Sequence, residues 1–197
     1  MTRLQALQHI VATLADEPVV VNLGHSAYEL FAVGDRPLNF YAWGSMGLVS
    51  SVALGLALAR PDRRVVALDG DGSLLMNLGS LATIAACAPP NLLLIVLDNG
   101  QYATTGGQST ATGRRADLEA AGRAMGIGRA RTVDDLAGLD ALLAESRSTA
   151  GPWLAIAKIA ESAPTMKPPL DCVYIKHRFM EALSGGEGAT RGTTQQP

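Results

Sequence analysis

The stretch "VVALDGDGSLLMNLGS", residues 65–80, decides the fold. An apolar, β-branched run enters two acids separated by a glycine and then continues into helix-forming residues. Its first part reads as a buried strand, and "SLLMNLGSLATIAAC" (73–87) reads as one helix. Working outward, "NLLLIVLDN" (91–99) and "NFYAW" (39–43) are strands, and "GSMGLVSSVALGLALAR" (44–60) is a helix rich in small residues. Leu4, Leu7, Ile10, Val11 and Leu14 recur at helical spacing ahead of the strand-like "VVV" (19–21). "SAYELFAV" (26–33) reads as a helix capped by Ser26 and ended by Gly34. After a Gly/Thr-rich loop, "RADLEAAGRAMGI" (115–127) and "DDLAGLDALLAES" (134–146) predict two helices, and "GPWLAIAKIA" (151–160) a last strand. Short strands alternating with longer helices imply an α/β fold: a parallel sheet flanked by helices on both faces. Residues 1–183 read as a single domain and 184–197 as a disordered tail.

The composition supports a packed core, with 48% hydrophobic and 17% charged residues in a chain of 197. Sixteen basic and 18 acidic residues give a formal charge of -2, so there is no polyanion-binding signature and nucleic acid is not an expected partner. No apolar run approaches the ~18 residues that span a bilayer. The N-terminus reads as an amphipathic helix rather than a signal peptide, so no membrane partner is expected and a cytoplasmic protein is. Cys87 and Cys172 lie far apart without metal-ligand spacing and read as reduced thiols, Cys87 buried near a helix end.

Glycine and polar residues gather where strands hand over to helices: 24–26, 44–47, 70–73 and 99–108. Parallel α/β sheets bind ligands at those ends. The turn "DGDGS" (69–73) is not an EF-hand, since the sixth and twelfth places from Asp69 hold Leu74 and Ser80 instead of glycine and glutamate. It reads either as a strand-end turn with Asp71 or Ser73 capping a helix, or as part of a metal site. For the second reading, Asn99 ends the next strand 28 residues after Asp71, a gap that fits one helix and one strand. A carboxylate and an amide oxygen are hard ligands suited to Mg²⁺ shared with phosphate oxygens. Gly72 and Ser73 would offer N–H groups and a hydroxyl to that phosphate. No GxxxxGK[ST] is present, so the phosphate is not held by a P-loop.

Gly70-Asp71-Gly72 followed by Asp98-Asn99 resembles the diphosphate-binding signature of thiamine diphosphate-dependent enzymes, GDG and then NN, with Asp98 in place of the first asparagine. "NFYAWGSMG", "DNGQYATTGGQST" and "PPLDCVYIKHRFMEAL" bring the likeness closest to the decarboxylases of sulfopyruvate and phosphonopyruvate. The resemblance covers roughly residues 18–180 and implies the diphosphate-binding domain of that fold. It implies thiamine diphosphate as cofactor and Mg²⁺ held by Asp71, Asn99 and the Gln101 carbonyl, with Tyr102 following in the same loop. It also implies that Gly24, His25 and Ser26 touch the diphosphate beside Gly70, Gly72 and Ser73. The Gly44 carbonyl would meet the aminopyrimidine, and Met46, next to Ser45, would wedge between the cofactor rings. His25 is the candidate catalytic residue, since an imidazole beside a substrate carboxylate binds it or moves protons. Thr105, Gly106, Gly107 and Gln108 form the candidate substrate loop, with Gln108, Ser109 and Thr110 as donors to an anionic headgroup.

Thiamine catalysis in the family also requires a glutamate on a second, pyrimidine-binding domain. Glu17 and Glu29 match no such motif, and the place of an accessory glutamate falls near Thr105. The resemblance therefore implies a hetero-oligomer, in which an alpha-type subunit supplies the activating glutamate and a small 2-oxo acid is decarboxylated to an aldehyde; half of a carboligase or 2-hydroxyacyl lyase, or a non-catalytic cofactor-binding subunit, is the alternative.

Overall fold

A computed structural model of the protein describes residues 1–185. The tail reading for 184–197 therefore falls, past Gly185, outside the described residues. The elements run α1 (Arg3–Thr13), β1 (Val19–Asn22), α2 (His25–Gly34), β2 (Asn39–Ala42), α3 (Val49–Ala59), β3 (Val65–Gly70), α4 (Asp71–Met76), α5 (Ser80–Cys87) and β4 (Leu92–Asp98). A small hairpin of β5 (Gln101–Tyr102) and β6 (Gln108–Ser109) follows. Then come α6 (Leu118–Ala124), β7 (Arg129–Val133), α7 (Leu136–Ser148), β8 (Trp153–Lys158) and α8 (Cys172–Leu183).

Six strands form one sheet in the order β2-β1-β3-β4-β8-β7, with every pair parallel. Alternate residues along each strand feed two cores. Val19, Val21, Val66, Leu68, Leu93, Ile95 and Leu97 pack under α1, α2, α7 and α8. Val20, Val65, Ala67, Leu92, Leu94 and Val96 pack under α3, α4, α5 and α6. The central strands β1 and β4 are buried along their whole length, which is why they read as unbroken apolar runs. Among the described residues, no helix is long and apolar enough to cross a membrane.

Several local expectations need correction. The helix expected from Gly44 starts at Val49, because Gly44 (φ 67°) and Gly47 (φ 85°) adopt left-handed backbone and make residues 44–48 a turn. The helix expected over 73–87 breaks after Met76, where Asn77 and Gly79 are poor helix formers, and its N-terminal part begins already at Asp71. Gly24 (φ 76°), not Ser26, is the N-cap of α2, and Ser26 lies inside the helix. The loop between the two predicted helices contains β7, an edge strand with only Ala130 and Val133 buried. Its Arg129 and Arg131 lie over the Trp153 ring at 5.3 and 5.8 Å, so an arginine-rich segment is held as strand by stacking on β8. Cys87 is exposed at the end of α5 rather than buried.

Candidate functional site

The chain crosses from β2 over β1 to β3, so the connections leaving β1 and β3 diverge at their carboxyl ends. A crevice opens there, as parallel sheets provide at such a reversal. A cavity of about 610 Å³, open solvent at its mouth included, occupies this position. Its wall takes Asn22, Leu23, His25 and Ser26 from the end of β1, and Gly70, Gly72 and Ser73 from the end of β3. Leu97 and Asn99 come from the end of β4, Met46 from the turn before α3, Arg3 from α1, and residues 101–105 from the loop past β5.

The predicted residues do not all stand in the same place. His25, Ser26, Met46, Gly70, Gly72, Ser73, Asn99, Gln101, Tyr102 and Thr105 line the cavity. Asp71 does not: it is buried just behind Gly70 and Gly72. The register of β3 on β4 pairs Gly70 with Leu97, so Asp71 follows level with Asp98, and Asn99 stands one residue further out. Gly24 touches the loop from below, where a Cβ would meet the Thr104 hydroxyl at 2.5 Å. Gly44 is exposed on the neighbouring turn, and the Ser45 hydroxyl donates to the Trp43 carbonyl at 3.2 Å. Gly106 and Gly107, on the turn between β5 and β6, and Gln108, at the start of β6, are exposed and outside the cavity wall. Tyr102 rests its ring on Gly72, where an added Cβ would sit 2.3 Å from the ring edge; only glycine allows that approach.

A hydrogen-bond network fixes the acids. Asp71 Oδ2 accepts from the hydroxyls of Thr110 and of Thr112, the latter at 2.7 Å. Thr110 is thus buried behind the cavity and is not the headgroup donor expected from its place in the loop. Asp98, the departure from the family's first asparagine, accepts from Thr112 at 2.9 Å, from the Gly100 N–H at 3.0 Å and from Lys158 on β8. It is a structural hub shared by β4 and β8. Burial, with Asp98 adding repulsion, outweighs the threonine hydroxyls and the Gly72 N–H and raises the Asp71 carboxyl above the usual range. Asp69 is fully buried, and its Oδ2 has no partner. Burial and the nearby Asp71 push its carboxyl up to about 6 against the bonds from Ser73 and the Gly70 N–H. The Ser73 hydroxyl also accepts from the Gly47 N–H at 2.9 Å, which ties the glycine turn before α3 to the end of β3.

Sequence reasoning missed the other side of the cavity. Glu161, just past β8, accepts from Arg3 and from Asn99 Nδ2, and its Oε2 meets His25 Nδ1 at 3.3 Å. Burial would raise the Glu161 carboxyl, but Arg3, Asn99 and His25 together hold it below the usual range. No periodicity marks Arg3, Glu161 or Asn22 as functional; they meet only through the fold.

A Mg²⁺-diphosphate group fits the donors present. Asp71, Asn99 and the Gln101 carbonyl offer oxygen only, with a single formal charge, at adjacent strand ends. Among the described residues there is no group of three or more His, Cys, Asp or Glu that could hold a metal ion, so a metal here would have to share its remaining positions with the diphosphate or water. The glycines at 70 and 72 put bare backbone between Asp71 and the cavity.

Comparisons with known proteins give the family and the fold. Residues 22–157 match the family model described as thiamine pyrophosphate enzyme, C-terminal TPP binding domain. The chain is 43% identical over 186 residues to sulfopyruvate decarboxylase subunit beta of Methanothermobacter thermautotrophicus, covering 94% of this chain and 97% of that one. It is 46% identical over 154 residues to phosphonopyruvate decarboxylase of Streptomyces viridochromogenes, covering 78% of this chain and 38% of that longer protein. Among solved structures, benzoylformate decarboxylase from Polynucleobacter necessarius matches with a TM-score of 0.63 at 22% identity, over 84% of this chain and 34% of that one. At that identity the last likeness is one of fold.

Proposed function

The chain belongs to the thiamine pyrophosphate enzyme family, through the C-terminal TPP-binding domain, and from that premise we propose that it is one subunit of a split, Mg²⁺-dependent decarboxylase. Its substrate is a 2-oxo acid with an anionic headgroup, of the sulfopyruvate or phosphonopyruvate kind, and the products are CO₂ and an aldehyde. One observation carries the reading. Among the described residues lining the cavity there is no carboxylate, and Glu161 at its edge is taken up by Arg3, Asn99 and His25, so none there is free to activate the aminopyrimidine. Glu17 is occupied by Arg147 and Arg64, and Glu29 by Arg3 and Ser162, so neither serves as that acid. A partner subunit must bring it. The near end-to-end match with a protein named as a beta subunit supports the same division.

Thiamine diphosphate, when bound, supplies the electron sink for loss of CO₂. The chain's own residues bind and orient. Asp71, Asn99 and the Gln101 carbonyl would hold the magnesium ion, and the N–H groups at Gly72 and Ser73 would meet the diphosphate. Met46 on the cavity wall would press on the cofactor rings, and the Gly44 carbonyl would accept from the aminopyrimidine. Tyr102 and Thr104 bring the loop across the crevice, against Gly72 and Gly24, and limit water. A carboxylate only accepts, so His25 donates from Nδ1 to Glu161 and keeps Nε2 for the substrate carboxylate or a proton.

The complex of this chain with a pyrimidine-domain subunit, given Mg²⁺ and thiamine diphosphate, is expected to release CO₂ from sulfopyruvate; the chain alone is expected to release none. Coupled assay of CO₂ checks this. A complex that binds the cofactor but releases no CO₂ from sulfopyruvate or phosphonopyruvate would sink decarboxylation and favour carbon–carbon bond formation on the same cofactor.

A further inference from the structure

An asparagine side chain is a poor metal ligand until something decides which way its amide faces, because oxygen and NH₂ are nearly the same size and only the oxygen binds a cation. Here Asn99 Oδ1 accepts from the Gln101 N–H at 3.1 Å in a tight local turn, which leaves one lone pair. Its Nδ2 donates to Glu161 Oε1. An ionised carboxylate accepts and cannot donate, so it faces the NH₂ end and turns Oδ1 the other way.

Glu161 is itself held from several directions. β8 runs parallel to β4 with Lys158 opposite Asp98, and the Ile159 N–H donates to the Asp98 carbonyl at 3.0 Å. This carries the end of β8 to the level of Asn99. The chain start then pairs with the same segment: the Ala160 N–H donates to the Met1 carbonyl at 2.9 Å, and the Arg3 N–H to the Ala160 carbonyl at 3.1 Å. Arg3 is buried to 3% exposure and bridges Glu161 and Glu29, while Ser162 bonds Glu29 at 2.7 Å. Three polar partners, Arg3, Asn99 and His25, thus converge on one carboxylate at the cavity edge.

We propose that Glu161 is a positioning residue that fixes the Asn99 amide with its oxygen free for the metal. The inference rests on the reading of Asn99 as a Mg²⁺ ligand. Carboxylates in the shell outside a metal orient its ligands in this way, and their loss typically costs about 10–100-fold in metal affinity.

A reciprocal exchange tests it on the complex with the pyrimidine-domain subunit, with calorimetric titration of Mg²⁺ at saturating thiamine diphosphate as the readout. Glu161→Gln is isosteric but can present either an oxygen or an NH₂ to Asn99, so it no longer specifies which way that amide faces. It is expected to raise half-saturating Mg²⁺ by about 10–100-fold, with the urea midpoint as a check that the fold is kept. Asn99→Asp alone places two carboxylates together and is expected to weaken Mg²⁺ binding as well. Combined, the substitutions recreate the pair with donor and acceptor exchanged, and a carboxylate at position 99 needs no amide orientation. The double variant is expected to bind Mg²⁺ more tightly than either single one. If Glu161→Gln leaves half-saturation unchanged, or the double variant is no better than the worse single one, Glu161 does not position Asn99. If the unaltered complex binds the cofactor without any need for Mg²⁺, the ligand reading of Asn99 falls first, and this inference with it.

Discussion

Asp71→Asn is expected to lower CO₂ release by the assembled complex by at least about 100-fold, since loss of a direct ligand should exceed the 10–100-fold cost of losing an outer-shell partner. The substitution changes one oxygen to nitrogen and keeps an acceptor for Thr110 and Thr112, so shape is preserved and charge is removed. The effect on the metal-free chain has the opposite sign. Burial and Asp98 raise the Asp71 carboxyl, so the folded chain binds its proton more tightly than the unfolded one does. For such a group, stability is fully present below the unfolded pKa and is lost as pH rises through the folded value. Ionising Asp71 is therefore a cost to the fold, and Asp71→Asn should leave the metal-free chain at least as stable as before. Urea unfolding at pH 7 without Mg²⁺ and CO₂ release with it separate the two effects. A variant that keeps its activity would remove Asp71 from the site, and a variant that unfolds would make Asp71 a structural group.

Ile95→Ala is expected to destabilise the chain by about 2–5 kcal/mol, the usual range for emptying a fully packed aliphatic site. Ile95 is 0% exposed in the middle of β4, between β3 and β8. Its side chain lies in the core under α1, α2, α7 and α8. Four residues on, the same strand leads into Asn99, so strain at Ile95 also reaches the site. The urea midpoint at fixed protein concentration is the measurement. A loss below about 1 kcal/mol would mean that this core relaxes around the cavity, which dense interiors do only partly.

The parts of the fold that were legible in the sequence are those whose signal is local. The strands β1, β3 and β4 stay apolar up to Asn22, Asp69 and Asp98 at their carboxyl ends because both faces of the sheet are covered, and such runs can be read from a single window. The glycines around Asp71 and the asparagine after β4 could be paired because one helix region and one strand separate them. β7 was not legible: its core contacts are Ala130 and Val133, and its arginines are held by the Trp153 ring of another strand. The break at Asn77 was hidden by apolar residues on both sides.

Within the site, the cavity wall was largely readable, while its supporting shell was not. Thr110 reads as a headgroup donor in a Gly/Thr-rich loop but turns inward to Asp71, as Thr112 does beside it. Glu161 and Arg3 lie at opposite ends of the chain and meet only because Ala160 pairs with the first residues. Asp98 departs from the family pattern, and Lys158 and Thr112 answer its charge, so the departure is absorbed in the strand ends rather than at the cofactor.

The central claim is that the ends of β3 and β4 hold a metal-bound diphosphate. Crystals of the complex grown with thiamine diphosphate and Mn²⁺ in place of Mg²⁺ test it through the anomalous signal of the metal. The expected result is one Mn²⁺ per chain within roughly 2.0–2.3 Å of side-chain oxygens of both Asp71 and Asn99, close to the distances of hard octahedral sites. A metal peak away from these two residues, or cofactor density with no metal between them, would contradict it.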